Sequence, residues 1–380
     1  MSTIISETLA TFRQVATDPM ASVRRWKDEH PGAKAIGFFS GYIPEEVIIA
    51  AGALPVRMIL PPDPGSIAVA DQYAQTFTCS YVRGCLDQAI AGHYDPLDGV
   101  VFPKTCETLT FMREVWRRHV PQQWVGFLQA AAVTNTAAAR QFSRVQLDRF
   151  IADIEAFTGQ AVSDERLAAA IAACNAVRGL LREINQSRRA DPPPLGGADA
   201  LAVALAAQVL AKDEARDKLR ALREALRDAS PGRPDGRARI MLSGSNVDNL
   251  SLLEAIEAQN ARIVADDLST TTRHYWDDVA TDRPPREALV ARYLGRIPDS
   301  SRHPTDRRID HVLALAQDYA VQGAIFITRK YCETHLYEYP YVRDRLAAIG
   351  VPTLFLETEH HFTSLGQIMT RVGAFVEVLA

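Results

Sequence analysis

Short apolar runs alternate with polar, turn-rich stretches along most of the chain, and the spacing within each run predicts its element. Residues 35–39 (AIGFF) form an apolar run of strand length. Pro44 then fits the first turn of a helix, Glu45 and Glu46 complement its positive end, and Gly52 fits its C-cap. Residues 55–60 predict another strand, so strand, helix and strand follow in the order of a parallel sheet. A helix over about 85–91 feeds a strand at 99–102, which stops at Pro103 just before Cys106.

From about Ala137 to Leu226 the pattern becomes helical. Phe142, Val145, Ile151, Ile154 and Phe157 recur at roughly helical spacing and end at Gly159. Ser163 fits an N-cap, followed by a stripe of Leu167, Ile171, Cys174, Val177, Leu181 and Ile184. DPPPLGG (191–197) breaks this pattern, two more helices fill 198–227, and SPGRPDGR (230–237) reads as a linker. Strand-like runs return at 239–242, 262–265, 324–327 and 353–357, with helices at 248–259 and 307–319. A closing helix carries Ile368, Val372, Phe375 and Val376 on one face. The expected architecture is α/β: a first lobe with an N-terminal helix (1–136), a helical region (137–229) and a second α/β lobe (230–380).

Composition narrows the class. With 380 residues, 47% hydrophobic and 23% charged, the chain is long enough for two or three domains and ordinary for a soluble globular protein. A formal charge of −4 without a long basic run argues against a nucleic-acid partner. No apolar run is long enough to span a bilayer. The start, MSTIISETLATFRQ, has no basic region ahead of an apolar core, so a cytoplasmic location is expected.

Five cysteines in a chain of this length do not make a disulfide framework. Cys-Glu-Thr occurs twice, at Cys106 and Cys332, each time just past a strand, where open α/β sheets bind ligands. Amide dipoles there would favour a thiolate. Cys79 and Cys85 are too far apart for a Cys-x-x-Cys redox pair, and on a helix they point in different directions, so one of them is expected to join any cluster. Cys174 lies on the apolar stripe and reads as core. The sharpest set is therefore Cys79, Cys106 and Cys332. Three thiolates can hold three irons of a [4Fe-4S] cluster and leave the fourth open. Zinc would want a fourth Cys or His at short spacing, and three unremarkable buried thiols are the plain alternative.

The other candidates are weaker. Gly244-Ser-Asn246 after a strand offers backbone amides to a phosphate, but it matches no phosphate-loop motif and reads more simply as a turn. Asp266 and Asp267 end a strand, where they could orient a ligand or cap. ETEHH (357–361) has metal-binding residue types without the spacing of a zinc helix, and no hydrolase elbow occurs.

In the segments KAIGFFSGYIPEEVIIAAGALPV, TCSYVRGCLD, GVVFPKTCETL, IVADDLSTTTR, and IFITRKYCETHLYEYP with GVPTLFLETE and GQIMTRVGAF, the chain resembles the (R)-2-hydroxyacyl-CoA dehydratase and benzoyl-CoA reductase family. The resemblance runs over nearly the whole length and is greatest to the smaller, β-type dehydratase subunit. It implies two Rossmann-like (flavodoxin-like) parallel-sheet lobes with a helical insert and one [4Fe-4S] cluster between the lobes. The family's three cluster cysteines match Cys79, Cys106 and Cys332, with Cys85 as the substitute for Cys79. Glu107 replaces the family's common Asp after the cysteine and is not an expected ligand.

The implied chemistry is radical loss of water from an acyl-CoA. A separate ATP-dependent iron–sulfur activator supplies a low-potential electron, and a second cluster and the organic substrate reside on a homologous sister subunit. Two other readings stand beside it: part of a dearomatising benzoyl-CoA reductase, and a cluster-free scaffold or binding protein.

Overall fold

The computed structural model describes residues 3–61, 67–121, 123–228, 232–359 and 365–379. The first sheet consists of β1 (Ala35–Phe38), β2 (Leu54–Arg57), β3 (Gly99–Pro103) and β4 (Trp124–Leu128) in the spatial order β2-β1-β3-β4. The second consists of β5 (Ala238–Gly244), β6 (Ala261–Asp267), β7 (Gly323–Arg329) and β8 (Thr353–Thr358) in the order β6-β5-β7-β8. Every pairing is parallel, so the two lobes repeat one flavodoxin-like topology. β1, β2, β3, β5 and β7 are buried at every position, as expected of parallel strands covered on both faces.

The helices of the first part are α1 (Thr3–Thr17), α2 (Pro19–Glu29), α3 (Glu45–Ala50), α4 (Ser80–Ile90) and α5 (Glu107–His119). The central helices are α6 (Ala137–Thr158), α7 (Asp164–Ser187), α8 (Gly197–Ala206) and α9 (Lys212–Asp228). The last part carries α10 (Leu250–Glu257), α11 (Thr272–Tyr275), α12 (Pro285–Gly295), α13 (Asp306–Asp318), α14 (Glu333–Ala347) and α15 (Leu365–Leu379). α1 packs on α8 and α9, and α12 packs on α6 and α7. One buried apolar cluster runs from Phe102 and Trp116 through Leu205 and Leu219 to Ile240 and Ile325, so the two sheets and the central helices share a core.

Several local expectations shift. β4 has no counterpart in the sequence reading. The helix expected from residue 85 begins at Ser80, which puts Cys79 at its N-cap. Val145 is exposed and Phe142 only half-buried, because the inward face of α6 is Leu147, Phe150, Ile151 and Ile154. Ser163 does cap α7 through the Arg166 amide, and the stripe from Leu167 to Ile184, Cys174 included, is buried. Gly52 and Gly159 adopt φ of 74° and 69°, the left-handed region open to glycine at helix ends. Part of the SPGRPDGR segment, residues 230–231, lies outside the described residues; residues 232–237 form no helix or strand.

The charged positions hold the greatest surprise. Glu45 and Glu46 do sit in the first turn of α3, yet both are buried. Glu45 lies 2.6 Å from Lys212 and 2.9 Å from His274 Nε2, while Glu46 lies 2.5 Å from Arg178 and accepts from the Tyr293 hydroxyl at 2.8 Å. They tie α3 to α7, α9, α11 and α12 rather than only complementing a helix dipole. Asp266 and Asp267 are likewise taken up by the interior. Asp266 pairs with Arg188 at 2.8 Å and Asp267 with Arg308 at 2.9 Å.

Candidate functional site

Three helices begin with a cysteine. Cys79 is the N-cap of α4, Cys106 of α5 and Cys332 of α14, and none makes a side-chain capping hydrogen bond. Other helices of the chain carry oxygen-bearing caps, and Asp18, Thr136, Ser163 and Asn249 each accept from an amide of the first turn. A thiol is a poor substitute, so its use at three N-caps forgoes about 1 kcal/mol at each.

The strands deliver two of these thiols. β3 ends at Pro103, and a short turn leads to Cys106; β7 ends at Arg329, and Lys330 and Tyr331 lead to Cys332. Tyr331 holds φ at 65°, a conformation costing roughly 1–2 kcal/mol for a side-chain-bearing residue. All three cysteines open into one cavity of about 1160 Å³ between the lobes. Its wall also includes Ser40, Arg57, Tyr81, Asn246, Arg302 and Arg329.

The remaining cysteines lie elsewhere. Cys85 is fully buried inside α4 with its sulfur 3.8 Å from the Tyr94 hydroxyl, and it is not part of the cavity wall. Cys174 is buried in α7, where desolvation pushes its thiol up to about 12.

The electrostatics of the cavity thiols correct one expectation. The amides of Leu109 and Thr108 do pull the Cys106 thiol toward ionisation. Enclosure by the surrounding protein is the larger effect, however, and with the neighbouring Cys79 and Cys332 it pushes Cys106 up to about 12. Cys106 keeps solvent-accessible surface, but that surface faces the cavity. Cys332 is pushed up to about 11, first by enclosure and then by Cys79, against the His335 amide. Both thiols therefore stay protonated at neutral pH.

A polar seam locks the cavity floor. Asn246 accepts from Arg57 Nη2 at 2.8 Å, joining the end of β2 to the turn after β5. Asp248 pairs with Arg329 at 3.0 Å, and the Arg329 amide donates to Ser245 Oγ at 3.0 Å. The Gly244–Asn246 segment is thus a turn that bridges the lobes, and its Ser245 amide is spent on the Ile327 carbonyl. Arg302 donates to the carbonyl of Lys104 at 2.9 Å, bracing the turn that carries Cys106. In the ETEHH motif, the Glu359 carbonyl accepts from Arg329, and His360 and His361 lie outside the described residues.

Arg57, Tyr81, Arg302 and Arg329 escaped the sequence reading, and Asn246 entered it only as part of a possible phosphate turn. The one signal available was an arginine closing an otherwise apolar strand, LPVR and GAIFITR. Among the described residues, no three His, Cys, Asp or Glu side chains converge on a single-ion site. No described helix is long and apolar enough to cross a membrane.

Comparison with known proteins places this chain in a family. The family model for the 2-hydroxyglutaryl-CoA dehydratase D-component matches residues 40–379. The chain is 25% identical to the (R)-phenyllactyl-CoA dehydratase beta subunit of Clostridium sporogenes, covering 97% of both chains. It is 26% identical to the beta subunit of (R)-2-hydroxyglutaryl-CoA dehydratase of Acidaminococcus fermentans, over 99% of this chain and all of the relative. It is 24% identical to a benzoyl-CoA reductase subunit of Thauera aromatica, over 94% and 93% of the two chains. The chain belongs to the 2-hydroxyglutaryl-CoA dehydratase D-component family.

Proposed function

We propose that this chain is the β-type, iron–sulfur subunit of a 2-hydroxyacyl-CoA dehydratase, with Cys79, Cys106 and Cys332 as the ligands of a [4Fe-4S] cluster. One observation carries the proposal: three cysteines occupy helix N-caps that they do not cap, and all three open into a single cavity. The donor set fits the group. Thiolates are the usual cluster ligands, and thiols that ring a cavity without meeting at a point suit several irons better than one ion. Cys79 is favoured over Cys85, whose sulfur faces the core.

When bound, the cluster would supply one-electron transfer at low potential. The chain's own residues do the rest. The Cys106 and Cys332 thiols give up their protons on binding, which their enclosure prevents beforehand. The Asn246–Arg57 contact ties the two lobes together and the Asp248–Arg329 pair braces the second lobe beside it, so the cysteines from both keep their spacing. The buried strands behind them limit the approach of bulk water, which favours electron transfer over side reactions.

The acyl-CoA substrate and an ATP-dependent activator belong to this reading, as does a sister subunit; the relatives' names as beta subunits support the last. Anaerobic purification tests it. The expected product is brown, contains iron and sulfide in near-equal amounts, and with its partner removes water from a 2-hydroxyacyl-CoA without net redox change. A colourless, iron-free chain that still binds its partner overturns it in favour of a scaffold. The similarity to the Thauera protein favours a second reading, part of a benzoyl-CoA reductase. Net reduction of benzoyl-CoA by the same complex would select it.

A further inference from the structure

We propose that Arg57 is the fixed counter-charge of the cavity thiolates and of the cluster they hold, a positioning residue that sets cluster affinity and reduction potential. This rests on the cluster reading above. Arg57 closes β2 at the cavity wall and is 1% exposed. Among the described residues its guanidinium has one hydrogen-bond partner, the Asn246 carboxamide, and its Nε and Nη1 have none.

Several other buried arginines are neutralised by carboxylates, although Arg302, also on the cavity wall, donates to the Lys104 carbonyl instead. Arg329 has Asp248, Arg308 has Asp267 and Arg188 has Asp266. Arg57 has no carboxylate partner among the described residues. The Asn246 amide nitrogen beside it is buried and unpartnered too. Burying a cation without its counter-ion is costly, so such a cation is retained where negative charge arrives from outside the polypeptide. Arg57 lines the same cavity as Tyr81 and all three cysteines, where that charge would arrive. A fixed cation there stabilises the thiolates over the thiols, and the reduced cluster over the oxidised one.

The test compares the full-length wild type with Arg57→Lys and Arg57→Gln, each purified anaerobically and reconstituted with iron and sulfide. Bound iron is measured first, then the midpoint potential by a redox titration followed by electron paramagnetic resonance. In Arg57→Gln the reduced form should lose about tenfold against the oxidised form, a fall of about 59 mV for one electron. Failure of that variant to retain iron at all is the stronger form of the same result. Arg57→Lys should restore most of the iron and the potential, because it keeps the charge. Wild-type iron and potential in Arg57→Gln overturn the proposal. So does an Arg57→Lys protein as impaired as Arg57→Gln, since that outcome assigns Arg57 to hydrogen bonding within the fold. An iron-free wild type is a different failure and sinks the cluster reading itself.

Discussion

Cys106 and Cys332 occupy equivalent positions in the two lobes. Each lies three residues beyond the end of its strand, Pro103 in β3 and Arg329 in β7, and each starts the helix that follows. β3 and β7 also hold the same place in their sheets. The repeated Cys-Glu-Thr is therefore the trace of a repeated lobe, closed face to face so that both thiols meet one cavity.

That equivalence makes cysteine replacement unusually readable. If the proposed cluster is present, Cys106→Ser and Cys332→Ser should each lose most of the iron it brings. A serine is a good N-cap, so neither apoprotein should melt below the wild-type apoprotein, and each could gain about 1 kcal/mol. Cys85→Ser and Cys174→Ser should keep the iron, because both sulfurs lie in the core. Iron analysis and thermal melts of the four variants decide it. Retention by Cys332→Ser together with loss by Cys174→Ser would remove Cys332 from the site.

The strands and the cysteine turns were legible because their signals are local. An apolar run that ends at Pro103, or at Arg329 ahead of a cysteine, needs no partner to be seen. β4 escaped because its half-buried edge position leaves a short, aromatic run, WVGFL, without flanking helix signals. Glu45 and Glu46 were read as helix-end charges, since their true partners, Lys212 and Arg178, lie more than a hundred residues away. Arg57 is invisible for the same reason: what distinguishes it is the carboxylate that three-dimensional packing fails to supply.

The Glu46–Arg178 pair should be a weak point when broken and an unremarkable one when deleted whole. Both side chains are buried, and Tyr293 takes the second carboxylate oxygen. Arg178→Met leaves Glu46 buried without its cation and should cost about 3–5 kcal/mol. Adding Glu46→Gln should recover a large part of that loss. Chemical denaturation of the two proteins measures the recovery, and equal instability of the single and double variants would contradict a charge-pair origin.

Gly244 holds β5 against β7. Its φ is 128°, and a Cβ there would collide with the backbone carbonyl of Ile327. The Ser245 and Asn246 contacts follow directly from this bend. Gly244→Ala should therefore fold poorly, or fold with the lobes out of register and little iron bound. Comparison with Gly295→Ala, a position where a Cβ meets nothing, separates local strain from general sensitivity. A Gly244→Ala protein as soluble and iron-rich as Gly295→Ala would refute the strain argument.

His274 gives the fold a predictable acid limit. Desolvation lowers its pKa from 6.5 to about 4, although Glu45 opposes the shift. Arg296 and Lys212 face it as well, so protonation would add a third cation to a buried cluster. The unfolded chain takes up the proton at higher pH than the folded chain does. The stability this site contributes is therefore complete above about pH 6.5, falls as the pH drops toward 4, and is flat below. At 1.36 kcal/mol per unit the loss is roughly 3 kcal/mol. His335 and His311 are shifted in the same direction by burial and steepen the decline. The depressed carboxyls of Glu45 and Asp267 lose their share only further down, below the ordinary carboxylate range. Melting temperatures of the apoprotein from pH 7.5 to 4.5 should fall steadily. In His274→Gln, melting should start lower at pH 7.5 and decline less across the same range, and a slope matching the wild type would exclude His274 as the titrating group.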